Sequence, residues 1–554
     1  MRRRYLLVFI PFLLLACQLF PILPVAPTFS PTPTTAAVTA TQTPDKPATF
    51  EVRIHPEDGL YVGDLVSFEV IQLVGEVDSV RESGADEEAY VEIEVQRPTP
   101  VVLGPEPFGS FGIGDRQQAT FNWVWDTTDL EPGDYELTFR ILPEGPEWHE
   151  TITLFPQDAL PPDALDAGWI TRESDCCQIT YLTGTAAERD IEEITQTVDE
   201  EAAQSLDEMG ADQLDNLHVV LVPRVLGQGG FASGEIYISY LDRNYTGDDL
   251  ENVLHHEMIH VIDLSLGGVF RPRILMEGLA VYQSGGHYKI EALLPRAAAL
   301  VKLGRYIPLE ELPDDFYFHQ HEIGYLEAGA FVEYMIDLWG YEAFDAFYRD
   351  IHEIEGGTEK DAIDAALQNH FGISFAELAQ QFLTALESYP NDIDLQEDVD
   401  LTVDLFDTIR RYQQFLDPSA YFMTAWLVTF PDLESQDIAA DYLRHPSQPK
   451  NLTIETLLIS AQDALMESDF KTTRVILEAV NTCLDRLEEK HPHPFSASPL
   501  SERYYEIITF LMKSGYEPQE ISLNTNSAQV QATQSGPNLI PLLIVINPEA
   551  LQAE

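Results

Sequence analysis

The strongest constraint on this chain lies in residues 250–282, where two apolar helical series carry ionisable side chains on faces they must bury. Leu250, Val253, Leu254, Met258, Ile259 and Ile262 recur at helical spacing, which predicts a helix with one buried face. Thr246 to Asp249 is an Asp-bearing version of the capping box and predicts its start. Inside the series stands His-Glu-x-x-His, as His256, Glu257 and His260. Residues i and i+4 lie one above the other on a helix, so both imidazoles project from one face. Two nitrogen donors held that way suit tetrahedral Zn²⁺, at about 2.0–2.1 Å per bond. Glu257 follows the first imidazole directly, where its carboxylate can reach a water on such an ion and act as general base.

A catalytic zinc needs a third protein ligand and one open position. Gly267, Gly268 and Pro272 break the first helix, and Ile274, Leu275, Leu279 and Tyr282 begin a second. Glu277 is the only acidic residue in that second apolar run. A carboxylate on an apolar helix face needs a partner, and a metal ion is a good one. Gly278 and Ala280 are small enough for the two helices to approach closely. The plainer alternative is a buried helix with two hydrogen-bonded histidines and no ion.

His256, Glu257 and His260, followed 17 positions later by Glu277-Gly278-Leu279-Ala280, resemble the gluzincins and most of all the peptidase MA-like family of that clan. The resemblance implies one Zn²⁺ held by His256, His260 and Glu277, with Glu257 as base. It also implies a thermolysin-like α+β domain and hydrolysis of peptide bonds. The metzincin pattern is absent, since Asp263 stands where its Gly would be. Met276 occupies the position where aminopeptidase relatives usually carry Asn, and no Gly-x-Met-Glu-Asn segment lies upstream, so the resemblance does not extend to an aminopeptidase. Such peptidases commonly draw an oxyanion donor from Tyr or His. Tyr325, at the start of a small-residue helical series over 322–339, resembles the Tyr found there in related domains. A core or rim tyrosine is the alternative. His319 and His321 are further candidates; as a His-x-His pair they could also bind metal, with surface histidines the favoured reading.

The rest of the chain divides around this centre. Arg2 to Arg4 and the apolar run 5–16 form an export signal, being too short for a bilayer span of about 20 residues. Leu14-Leu15-Ala16-Cys17 resembles the bacterial lipobox, which implies a lipid anchor on Cys17; an ordinary cleaved signal is the alternative. Residues 18–48 are rich in Pro, Thr and Ala and read as an extended linker. Residues 49–155 alternate apolar and polar positions in short runs, which argues half-buried strands. Trp123, Trp125 and the turn at 131–134 resemble the closing strands of an immunoglobulin-like sandwich, here a spacer or adhesion-like module. The two Trp are core residues or, as a lesser alternative, a carbohydrate platform.

Residues 156–390 carry the mixed α/β pattern of the peptidase domain. A Gly-rich turn spans 227–234, and the strand 235–239 that follows fits a cleft edge able to pair with an extended peptide and an interior strand equally well. Residues 391–490 form a helical region that opens with a solvated Asp-rich linker over 391–404 and holds a helical hairpin over 454–490. Residues 491–554 read as a polar tail with one terminal strand. The expected fold is therefore multidomain: an N-terminal immunoglobulin-like β-sandwich, a central α+β gluzincin-like domain and a mainly helical C-terminal region.

Of the cysteines other than Cys17, adjacent Cys176 and Cys177 seldom bond each other, so a bridge from one of them to Cys483, or three unpaired thiols, is expected. With 93 acidic against 31 basic residues the net charge is −62, which excludes a general nucleic-acid-binding role because phosphates would be repelled. These features together imply an extracytoplasmic zinc metallopeptidase, acting on a peptide or protein and joined to the membrane only through its N-terminal lipid. A non-catalytic envelope adhesion or scaffold protein with a peptidase-like domain is the alternative.

Overall fold

The computed structural model describes residues 49–73, 89–96, 99–111, 116–160, 164, 167–212, 217–224, 229–245, 249–421, 428–524, 527–534 and 536–545. The segments read as an export signal, a lipobox ending at Cys17 and an 18–48 linker lie outside them, as does Thr246. No helix among the described residues is long and apolar enough to cross a membrane.

The alternating N-terminal segment folds as two sheets. One is four-stranded, in the order β1 (Phe50–His55), β3 (Leu65–Gln72), β7 (Arg116–Asp126), β6 (Gly109–Phe111). The other is five-stranded, in the order β2 (Leu60–Tyr61), β9 (Glu147–Phe155), β8 (Gly133–Leu142), β4 (Tyr90–Val95), β5 (Val101–Pro107). The alternation puts Val66, Phe68 and Val70 of one sheet against Val91, Ile93 and Phe139 of the other, in one shared core. Trp125 and Trp148 fill that core, and Trp123 is buried too, so neither Trp123 nor Trp125 forms an exposed platform.

The sandwich is not a free-standing spacer. Trp123 packs into a cluster with Val220 and Tyr237 of the central domain and Phe430 and Tyr442 of the C-terminal helical region. Arg444 clasps Asp64 through two 2.7 Å contacts, both side chains being buried. Arg53 donates to the Pro418 carbonyl at 2.8 Å.

The central domain begins with a five-stranded sheet in the order β10 (Trp169–Glu173), β11 (Cys177–Leu182), β12 (Leu217–Val222), β14 (Glu235–Ser239), β13 (Gly230–Ser233). One expectation changes here, and one open alternative is decided. The Gly-rich segment supplies strand β13, antiparallel to β14, and β14 is interior because β12 takes its other side. The edge position therefore falls to β13. One face of the sheet is covered by α1 (Ile191–Met209) and α2 (Leu250–Ser265). A helical body follows, with α3 (Arg273–Ser284), α4 (Leu293–Leu303), α5 (His321–Trp339), α6 (Tyr341–Arg349), α7 (Glu359–Phe371) and α8 (Phe375–Glu387) around one apolar core.

The segment read as a solvated linker is the first half of a long helix, α9 (Ile393–Leu416). Its acidic residues have partners: Asp398 binds Lys289 and Arg296, and Asp400 and Asp404 bind Arg305. Charge density alone misread it, because those cations come from α4 and its flanks. α10 (Pro449–Met466) and α11 (Phe470–Glu488) form the hairpin. The polar tail is also corrected. It contains α12 (Pro499–Lys513) and a meander of β15 (Glu517–Asn524), β16 (Ser527–Thr533) and β17 (Ile540–Val545). Cys176 and Cys177 are bonded to each other rather than to Cys483, which is a buried free thiol.

Candidate metal centre and active site

Helix α2 starts at Asp249, whose side chain accepts from the Asn252 N–H at 3.0 Å and satisfies one of the orphan donors of the first turn. Its sides are tied down separately. His255 faces α1, where its two nitrogens meet Glu201 and Glu208 at 2.9 Å each. Burial disfavours its charge, but the two carboxylates outweigh that and raise its pKa. Asp263, in the last turn, accepts from Arg271 Nε at 2.7 Å and Tyr348 Oη at 3.0 Å, and pairs with Arg349. Arg271 also donates to the Gly267 carbonyl at 2.7 Å, so the turn into α3 is fixed.

Helix α3 is pressed against α5 rather than α2 at its glycine, which corrects the expected role of Gly278. A Cβ on Gly278 would lie 2.5 Å from the Ala328 carbonyl oxygen, and one on Gly329 would lie 2.5 Å from Val281 Cγ1. No larger side chain fits either position without moving a helix.

This framework brings His256, His260 and Glu277 together. The His256 and His260 Nε2 atoms are 3.2 Å apart, and Glu277 Oε2 lies 3.4 Å from the first and 3.2 Å from the second. Two ligands about 2.0–2.1 Å from one tetrahedral ion stand about 3.3 Å apart, so the spacing fits zinc. Three lone-pair donors converging on one point, all in buried or half-buried side chains, need a proton or a cation between them. Burial opposes charge on Glu277, yet the imidazoles hold it well below the usual carboxylate range. Burial would lower His260, but Glu277 raises it to about 9, whereas burial prevails at His256 and lowers it to about 4.

Tyr317, in the short turn Phe316–Phe318, donates to the other oxygen, Glu277 Oε1, at 2.6 Å. Oε2 is thereby left to face the imidazoles. Glu257 is 7% exposed, and burial raises it to about 7. Tyr325 is buried beside the trio, its ring 6.2 Å from that of His256 and 4.1 Å from that of His287. Burial, then Glu277, raises its phenol well above the usual value, so it remains a donor. His319 lies near the Glu311 carbonyl at 3.4 Å and joins nothing in the site. His321 is not a surface histidine: its ring stands 5.0 Å from that of His287 and 4.3 Å from that of Tyr325.

Two site residues, Tyr317 and His287, had no reading from sequence. Tyr317 sits in Phe316-Tyr317-Phe318, which has the composition of any buried turn. His287 follows Gly285-Gly286 just past α3, and a histidine in a helix-ending turn next to a metal-ligand helix is the one local signal that could have marked it.

No family model matches the sequence, and no curated protein does. Among solved structures, an M1 zinc metallopeptidase from Deinococcus radiodurans aligns at 13% identity over 62% of this chain and 94% of that chain, with a TM-score of 0.29. An aminopeptidase N family protein from Idiomarina loihiensis aligns at 10% identity over 63% of this chain and 78% of that chain, with a TM-score of 0.28. A metallopeptidase from Bacteroides thetaiotaomicron aligns at 10% identity over 82% of this chain and 83% of that chain, with a TM-score of 0.20. At such scores the reading of the site rests on its own geometry.

Proposed function

We propose that this chain is a zinc-dependent peptidase whose single catalytic ion is held by His256, His260 and Glu277. The observation that carries the reading is the 3.2–3.4 Å triangle of two imidazole nitrogens and one carboxylate oxygen. When bound, the ion supplies Lewis-acid polarisation of a carbonyl and acidification of a water. Glu257 takes a proton from the attacking water and passes it to the leaving amine, a role suited to a buried carboxyl raised to about 7. Tyr317 holds Glu277 in a one-oxygen pose. Tyr325 donates to the developing oxyanion from the wall beside His256. An extended peptide is held along edge strand β13, whose outer side no described strand covers.

The central domain is read as thermolysin-like and the N-terminal sandwich as immunoglobulin-like. In support of the latter, Tyr135 Oη donates to the Glu131 carbonyl at 2.8 Å, the back-bond of a tyrosine corner. The lipobox motif supports an extracytoplasmic protein anchored through Cys17.

Metal analysis of purified protein and chelator-sensitive cleavage of casein test the activity. Glu257→Gln should keep zinc and lose turnover; undiminished turnover in that variant removes Glu257 from the mechanism.

A further inference from the structure

Beside the first trio stands a second group of the same donor types. His287 follows α3, and His321 and Glu322 open α5. One ligating atom from each lies within 4.8 Å of the others. The two rings have centroids 5.0 Å apart, against 4.8 Å for His256 and His260. His287 Nδ1 meets Glu322 Oε2 at 3.0 Å. The other carboxylate oxygen, Oε1, is buried with no hydrogen-bond partner among the described residues, on a side chain only 5% exposed. A buried carboxylate oxygen is rarely left so, and a water or an ion is the usual explanation.

We propose that His287, His321 and Glu322 form a second site for a divalent transition-metal cation, next to the first trio. Two imidazoles and a carboxylate are donors that Zn²⁺ and its imidazole-seeking neighbours accept. One feature makes this site the weaker one: Arg410, on α9, interacts electrostatically with Glu322 and His321 and opposes a second positive charge. Since the rings of His287 and His256 are 5.9 Å apart, an ion there gives the cleft a second contact for carbonyl or carboxylate oxygens of a bound peptide; this role, unlike the binding itself, rests on the peptidase reading.

The test is calorimetric titration of the chelator-stripped full chain with Zn²⁺. Two binding events are expected, the second weaker. Glu322→Gln and His321→Ala should each weaken the second event at least about tenfold and spare the first. His260→Ala should do the reverse. Thermal melts of each variant, read by circular dichroism, separate lost ligation from lost folding. A single event that His260→Ala abolishes, or a second event that survives Glu322→Gln, overturns the proposal. In that case Glu322 Oε1 meets a water in the cavity of about 10 Å³ that adjoins it. A single event abolished by His260→Ala leaves the first site standing, whereas a single event that persists in His260→Ala and disappears in Glu322→Gln sinks the peptidase reading alone.

Discussion

Replacing Tyr317 with Phe removes one hydroxyl and leaves the ring, its burial and its neighbours in place. The hydroxyl donates at 2.6 Å to Glu277 Oε1 and so decides which carboxylate oxygen faces the imidazoles. Its pKa is raised well above the ordinary value by burial and then by Glu277, so the donor is present at every working pH. A hydrogen bond to a charged group contributes about 1.5–3 kcal/mol, and an outer partner of a metal ligand is worth about 10–100-fold in affinity. The two figures agree, since 1.4 kcal/mol is about a factor of 10. Competition between the full chain and a chromophoric chelator should therefore show the Zn²⁺ dissociation constant of Tyr317→Phe raised about 10–100-fold. Turnover at saturating zinc should fall much less, because no reacting atom is lost. An unchanged dissociation constant in a folded variant would show that packing alone orients Glu277.

Other outcomes follow from the same geometry. Gly278→Ala puts a methyl 2.5 Å from the Ala328 carbonyl oxygen, and should cost about 1–3 kcal/mol in a denaturant melt while weakening zinc binding, because Glu277 rides on the same helix. Arg444→Met leaves Asp64 buried without its partner and should cost about 3–5 kcal/mol by calorimetry; an unchanged transition would mean that the apolar cluster around Trp123 docks the sandwich unaided. Burial raises Asp441, which faces His55, Arg444 and Asp64, from 3.8 to about 6. The folded chain then binds more protons than the unfolded one between those values, so stability falls as pH rises through that window, by at most about 3 kcal/mol. Asp441→Asn should flatten that fall and raise the melting temperature at pH 7–8; an unaltered pH profile would contradict the assignment.

Helix pitch and side-chain polarity were enough to set His256 and His260 on one face of α2 and to single out Glu277 as a carboxylate needing a partner, whereas the capping box over 246–249 put the helix start at Thr246 and the structure makes Asp249 the N-cap. Those features are local, because an apolar series with a lone charge states its own requirement. Strand alternation in 49–155 and the α10–α11 hairpin were legible for the same reason. What the neighbours of a side chain are is a different question, and there the chain order is silent. Tyr317 reaches Glu277 across 40 positions, and Lys289 and Arg296 answer the carboxylate of Asp398 from more than 100 positions away. Those pairings turned a supposed solvated linker into a buried helix face, and the close passage of Gly278 is against Ala328 of α5 and not against α2. Periodicity determines which face of an element is buried; only the packed fold decides what that face is buried against.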